Sequence, residues 1–162
     1  MNILAIDPSA RNKIGIGVLN IDSFKKIKVE DATFSIQSNA TLEDLCKSCV
    51  RFINQKFIDA TPFSYLVIEY PQYMGGLKGR IAAQQGYTLD LAYVCGFFTA
   101  AFNLARLRTH LFTPMQWKGT RPKSATLAEY RRKFPDQRWS SEHSVDAVML
   151  GYHFCKVAKL LV

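Results

Sequence analysis

The stretch "NILAIDPSARNKIGIGVLNI", residues 2–21, carries the reading of the fold. Residues 2–7 form an almost continuous apolar run that ends in an acid, Asp7. Such a run suits a central strand covered on both faces. Residues 13–21, "KIGIGVLNI", alternate and read as a second strand, and Asp22-Ser23 supplies the turn that follows. A third, weaker strand falls within Lys26–Ile36, so three successive strands with short links predict an antiparallel meander.

Outward from there, the pattern changes period. Residues 41–60 set Leu42, Leu45, Cys49, Phe52, Ile53 and Phe57 at helical spacing, with Thr41 as N-cap and acids in the first turn. "SYLVIEY" (64–70) is a short apolar strand that again ends in an acid, Glu69. Residues 71–85 are rich in glycine and basic residues, with no steady period at first. A long helix covers about 87–105, and "RTHLFTP" (108–114) is a last strand stopped by Pro114. Helices follow over 124–134 and over Ser141–Leu161, with Ser140 or Ser141 as the cap. The order β-β-β-α-β-α-β-α-α predicts one α/β domain over residues 1–162 with a five-stranded mixed sheet.

Composition narrows the function classes. With 48% hydrophobic residues in 162, the chain has a core to bury and is not of the disordered class. It shows no bilayer-length apolar run and no basic segment ahead of an apolar core, so we expect no membrane span, no signal peptide and a cytoplasmic location. A formal net charge of +8 points to a polyanionic partner. Cys46 and Cys49 form a lone CxxC in the middle of a helix. With Cys95 and Cys155 they read as structural thiols in a reducing compartment rather than a zinc or redox site.

Chemistry gathers at two strand ends. In an open α/β sheet, ligand sites lie beyond the carboxyl ends of strands. If the strands ending in Asp7 and Glu69 are parallel neighbours, the two acids face each other there and repel unless a cation stands between them. Oxygen ligands with little cysteine or histidine suggest Mg²⁺ or Mn²⁺. In the final helix, His143 and Asp146 are three apart and share a face, which Met149 and Leu150 continue inward. Together Asp7, Glu69, His143 and Asp146 make a set able to hold two metal ions for phosphodiester hydrolysis. Glu142 lies on another helical face and is expected to be solvated.

"ILAIDPSARNKIGIGVL", "YLVIEYPQ", "LFTPMQWKGTRPK" and "EHSVDAVMLGYH" stand in the order and spacing of the RuvC-type Holliday junction resolvases, and the chain resembles a compact, phage-type member of that family. The resemblance covers nearly the whole chain. It implies the RNase H-like fold with helices on both faces of the sheet, a homodimer, two Mg²⁺ ions per site, and paired nicks across a four-way DNA junction. By match, Asp7, Glu69, His143 and Asp146 take the metal-ligand places. Some relatives have an aspartate at the place of His143, so its role is either ligand or proton carrier. Lys118 and Lys123 take the places of functional lysines that bind phosphate or stabilise charge beside the scissile bond. Trp117 is expected to pack beneath that loop. Loop 71–85 is the expected junction reader, with Lys78 and Arg80 on phosphates and either Tyr73 or Tyr70 as an aromatic wedge. Gly75, Gly76 and Gly79 let its backbone approach DNA closely. Arg11 and Lys13 form a second basic edge beside Asp7. The long helix over 87–105, apolar around most of its circumference, offers the dimer face. A nuclease acting on RNA–DNA hybrids or other branched DNA, and a catalytically inactive nucleic-acid-binding domain, are the competing readings.

Overall fold

The computed structural model describes residues 1–9, 13–36, 40–58, 62–72, 81 and 84–161. Five strands form one sheet: β1 (Asn2–Asp7), β2 (Lys13–Ile21), β3 (Ile27–Ser35), β4 (Phe63–Glu69) and β5 (Arg108–Phe112). Their spatial order is β3-β2-β1-β4-β5. The first three pair antiparallel, as the meander predicts, and β4 and β5 join β1 in parallel. The apolar run of residues 2–7 therefore lies at the centre of the sheet, and all six of its residues are buried.

Alternation along the strands divides the core into two layers. Leu4 and Ile6 of β1, Ile14 and Ile16 of β2 and Leu66 and Ile68 of β4 face α1 (Leu42–Ile53) and α2 (Tyr87–Asn103). Ile3, Ala5, Leu19, Val29 and Val67 face the opposite way, against α5 (Glu142–Val157). Two smaller helices, α3 (Pro114–Trp117) and α4 (Lys123–Lys133), flank α5 on that side. This α/β/α arrangement is the expected RNase H-like architecture. No helix among the described residues is long and apolar enough to cross a membrane.

Where the structure departs from the sequence reading, the cause is local. The final helix stops at Val157 rather than Leu161, because Lys159 takes φ 55° and the Leu160 N–H donates back to the Cys155 carbonyl. Helix α2 ends the same way, with Arg106 at φ 61° and the Leu107 N–H on the Phe102 carbonyl. Both are left-handed helix ends of the type usually built on glycine, so neither carried its usual signal. The helix predicted over 41–60 begins at Thr41's capping box with Asp44, as expected, but turns into a π-helical segment over Asn54–Ile58. Helix α3 was not expected: Thr113 caps it, Pro114 opens it and Gln116 closes the capping box. The four cysteines are free and buried, and burial lifts their thiols, Cys46 to about 11 and Cys95 and Cys155 to about 12. That leaves them inert at neutral pH.

Candidate active site

Asp7 and Glu69 end the two central parallel strands. Ile6 pairs with Ile68, so the next residues of β1 and β4 stand side by side at the carboxyl edge. Strand parity turns both toward the layer that holds α5. The glycines of β2 decide how close that helix comes. Gly15, the register partner of Asp7, lies directly beneath the start of α5, and a Cβ there would overlap the His143 carbonyl. A Cβ at Gly17 would sit 2.7 Å from the Val148 nitrogen. Two bare positions on one strand face thus let the helix backbone rest on the sheet. This carries His143 to Asp7, with Nδ1 2.7 Å from Oδ2. Against an ionised carboxylate, Nδ1 is the donor.

The start of α5 is also held from the side. Asp31 of β3 accepts from the Ser140 N–H at 2.7 Å and from the Ser144 hydroxyl at 2.5 Å. Ser141, which proves to be the cap, meets the Thr33 hydroxyl. A carboxylate at a helix N-terminus complements the macrodipole as well as the free N–H groups. Sequence reasoning passed over Asp31. The signal was its parity: it shares the inward side of β3 with Val29.

The third element enters through α3. Trp117 is buried, as expected, but it does more than pack: its indole N–H donates to Glu69 Oε2 at 2.6 Å. The Lys118 ammonium lies 3.1 Å from the same oxygen and 3.3 Å from Asp146 Oδ2, above the Trp117 ring at 4.7 Å. Burial lifts Glu69 above the ordinary carboxylate range and the charge of Asp7 adds to this, with Lys118 and Trp117 pulling the other way. Asp146 is lifted by burial too, against the pull of Lys118. Burial would lower Lys118, but Glu69 and Asp146 together outweigh it and keep its ammonium above the ordinary value. The hydrogen bond to Asp7 raises His143, against burial and the charge of Lys123.

These directions set the pH response of the metal-free protein. The His143–Asp7 contribution is complete below the ordinary histidine value and is lost as pH rises through the raised one. Glu69 and Asp146 are raised carboxyls, so the fold also loses stability as pH climbs from their ordinary values through the raised ones. In EDTA the melting temperature is therefore expected to fall as pH rises across both windows. His143→Gln should remove the upper part of that fall, which thermal denaturation at a series of pH values checks.

The remaining predicted residues are placed less centrally. Lys123 opens α4 and is exposed; its ammonium is 3.4 Å from Glu142 Oε2. It lines a pocket of about 190 Å³ with Ser124, Leu127, Glu142, Val145 and Asp146, and so borders Asp146. Glu142 is exposed, as expected, though paired with Lys123. Lys13 is exposed at the start of β2, two residues from Gly15 and so at the Asp7 end of the sheet. Tyr70 is exposed just beyond β4. Arg11, Tyr73, Lys78 and Arg80, with Gly75, Gly76 and Gly79, lie outside the described residues.

Among the described residues no three His, Cys, Asp or Glu side chains stand together as a metal-holding group. His143 is turned onto Asp7, and the Lys118 ammonium lies between Glu69 and Asp146. The donor chemistry nevertheless suits a hard divalent cation. It offers three carboxylates and one imidazole, two of the carboxylates strained toward protonation by burial, with a lysine ammonium serving as counter-charge between them.

No family model matches the sequence, and no curated protein matches it. The fold does match solved structures. Against T. thermophilus RuvC in complex with Holliday junction substrate the TM-score is 0.73 at 14% identity, covering 99% of this chain and 96% of that one. A second Thermus thermophilus RuvC structure gives 0.69 at 17% identity, with the same coverage. At such identity the likeness is one of fold, over nearly the whole of both chains. The structural neighbours of this chain are RuvC Holliday junction resolvase structures, and their fold is its fold over nearly the whole length.

Proposed function

We propose that the protein is a Mg²⁺-dependent endonuclease that resolves four-way DNA junctions by paired nicks. The observation that carries this reading is a pair of contacts at the carboxyl edge of two parallel strands: His143 on Asp7, and Lys118 between Glu69 and Asp146. The fold it shares with a RuvC bound to a Holliday junction substrate supports the choice of DNA as substrate, as does the net charge of +8.

In this reading Asp7, Glu69, Asp146 and His143 hold two Mg²⁺ ions, with Mn²⁺ as a substitute; when bound, the ions supply an activated water and a stabilised leaving oxygen. Trp117 fixes Glu69 Oε2, leaving the other carboxylate oxygen free to serve as ligand. Lys118 brings a positive charge to the buried carboxylates, and that charge becomes available to the phosphate. Lys123, at the border of the pocket beside Asp146, adds a second. His143 either joins the ligands or passes a proton. In both roles the hydrogen bond between Nδ1 and Asp7 fixes the ring's orientation.

The same proposal includes a second copy of the chain. Helix α2 buries Val94, Cys95, Phe98 and Phe102 on the sheet and leaves Leu89 and Tyr93 exposed. An apolar face of this kind supports a homodimer whose two sites cut opposing strands. Sedimentation at micromolar concentration is expected to give twice the 18.4 kDa chain mass; a clean monomer with full activity removes the dimer. The setting is the cytoplasm of a bacterial or phage-infected cell, where junctions form.

Binding should be governed by phosphates. With six or so phosphate contacts, log K against log[salt] is expected to have a slope of about −5. Fluorescence anisotropy of a labelled junction in Ca²⁺ measures it, and a flat response contradicts a phosphate-tracking surface. Cleavage of the same junction in Mg²⁺, absent in EDTA, tests the enzymatic reading directly.

A further inference from the structure

Arg121 looks like one more cation on a basic surface, but its donors point inward. Nε donates to the Lys118 carbonyl at 3.0 Å and Nη2 to the Trp117 carbonyl at 3.1 Å. Nη1 donates to Glu129 Oε2 at 2.7 Å, which ties the group to α4. The turn it clasps leaves α3 through Gly119 at φ 60°, with the Lys118 and Gly119 N–H groups on the Pro114 carbonyl. That turn presents Trp117 and Lys118 to Glu69.

We infer that Arg121 is a positioning residue: pinned by Glu129, it holds the two successive carbonyls that aim Trp117 and Lys118 at Glu69. The inference rests on the proposed nuclease site and adds to it two residues, Arg121 and Glu129, that touch neither substrate nor carboxylate cluster. Three directional donors are in use at once, on two carbonyls and a carboxylate. A guanidinium spans such a set and an ammonium does not. The alternative is a surface arginine that binds a DNA phosphate and happens to rest on the turn.

The two roles separate cleanly. The chain has two tryptophans, so Trp139→Phe leaves Trp117 as the only one, read by excitation selective for tryptophan over tyrosine. In that background, Arg121→Gln and Arg121→Lys should both shift the emission of Trp117 to the red, since the buried indole loses its fixed place. Glu129→Gln should shift it in the same direction, and it serves as the second route if an Arg121 variant fails to fold. The single-turnover cleavage rate of bound junction should fall on the order of tenfold or more in all three, as expected for a displaced catalytic group. Junction affinity of Arg121→Lys in Ca²⁺ should stay at the parent value.

Restoration of parent cleavage and emission by Arg121→Lys would overturn the inference, because a lysine keeps the charge and loses the clasp. Unchanged emission in all three variants would overturn it as well, whatever the cleavage rates. If the parent protein cuts no branched DNA, the proposed function fails, while the emission measurement still decides the role of Arg121.

Discussion

Asp7→Asn is expected to lower four-way-junction cleavage in Mg²⁺ by about 10²–10³-fold, the scale of weakening one electrostatic contribution to the transition state, here the hold on the proposed ions. Junction binding in Ca²⁺ should persist, because the loss is of one buried carboxylate and not of a surface cation. The geometry also predicts that the variant stays folded. Asparagine offers a carbonyl oxygen in the place of Oδ2, so His143 Nδ1 keeps an acceptor. In the metal-free protein the charge of Asp7 raises both Glu69 and Asp146, so its removal relieves them. A variant that loses cleavage while its melting temperature in EDTA holds or rises at a pH above the His143 window, where that pairing no longer contributes, would separate chemistry from stability in a single substitution. Parent-rate cleavage by Asp7→Asn would exclude Asp7 from the site.

The second large effect is expected from a methyl group. Gly15→Ala places a Cβ onto the His143 carbonyl, where the obstacle is helix backbone rather than a flexible side chain. Either α5 lifts from the sheet or β2 bends, at a cost of about 1–3 kcal/mol. A lift of about 1 Å at His143 moves both helix-borne groups away from Asp7 and Glu69, and misplacement on that scale costs about 10²-fold in rate. Cleavage should therefore fall much further than a loss of 1–3 kcal/mol from the folded state explains at a temperature where the variant remains folded. Urea denaturation alongside single-turnover cleavage checks this. Equal activity with lowered stability would show that α5 is not the element whose seat matters. Gly96, on the outward side of α2, has open space around its Cβ position within the chain and provides the contrast in stability: Gly96→Ala should not lower the urea midpoint.

The comparison of these two glycines also shows how much of the site the sequence disclosed. The apolar run of residues 2–7 was legible as a central strand because burial on both faces leaves an unbroken apolar signature. The alternation of β2 was legible too, yet the meaning of Gly15 and Gly17 was not, since nothing in a strand's own pattern says which helix will cross it. Asp7, Glu69, His143 and Asp146 could be gathered from strand ends and a helical spacing of three. The lysine among them came from resemblance, and the structure adds where it stands, between Glu69 and Asp146.

What escaped the sequence is long-range or conformational. Trp117 meets Glu69 across 48 residues, and Asp31 meets Ser140 across 109, distances over which local pattern carries no information. The ends of α2 and α5 escaped because Arg106 and Lys159 occupy left-handed positions without glycine. Helix α3 was legible after all: Thr113, Pro114 and Gln116 spell a capped start, but the proline was read only as the stop of β5.

The central claim is that this arrangement cuts branched DNA at a junction. One measurement tests it most directly: purified protein with Mg²⁺ against labelled four-way, three-way, flap and linear duplex DNA and an RNA–DNA hybrid, with products mapped on each strand. The account predicts symmetric paired nicks in the four-way junction, with linear duplex and hybrid left intact. Binding of the junction with no cleavage of any substrate in Mg²⁺ or Mn²⁺, or cleavage confined to the hybrid, would contradict it.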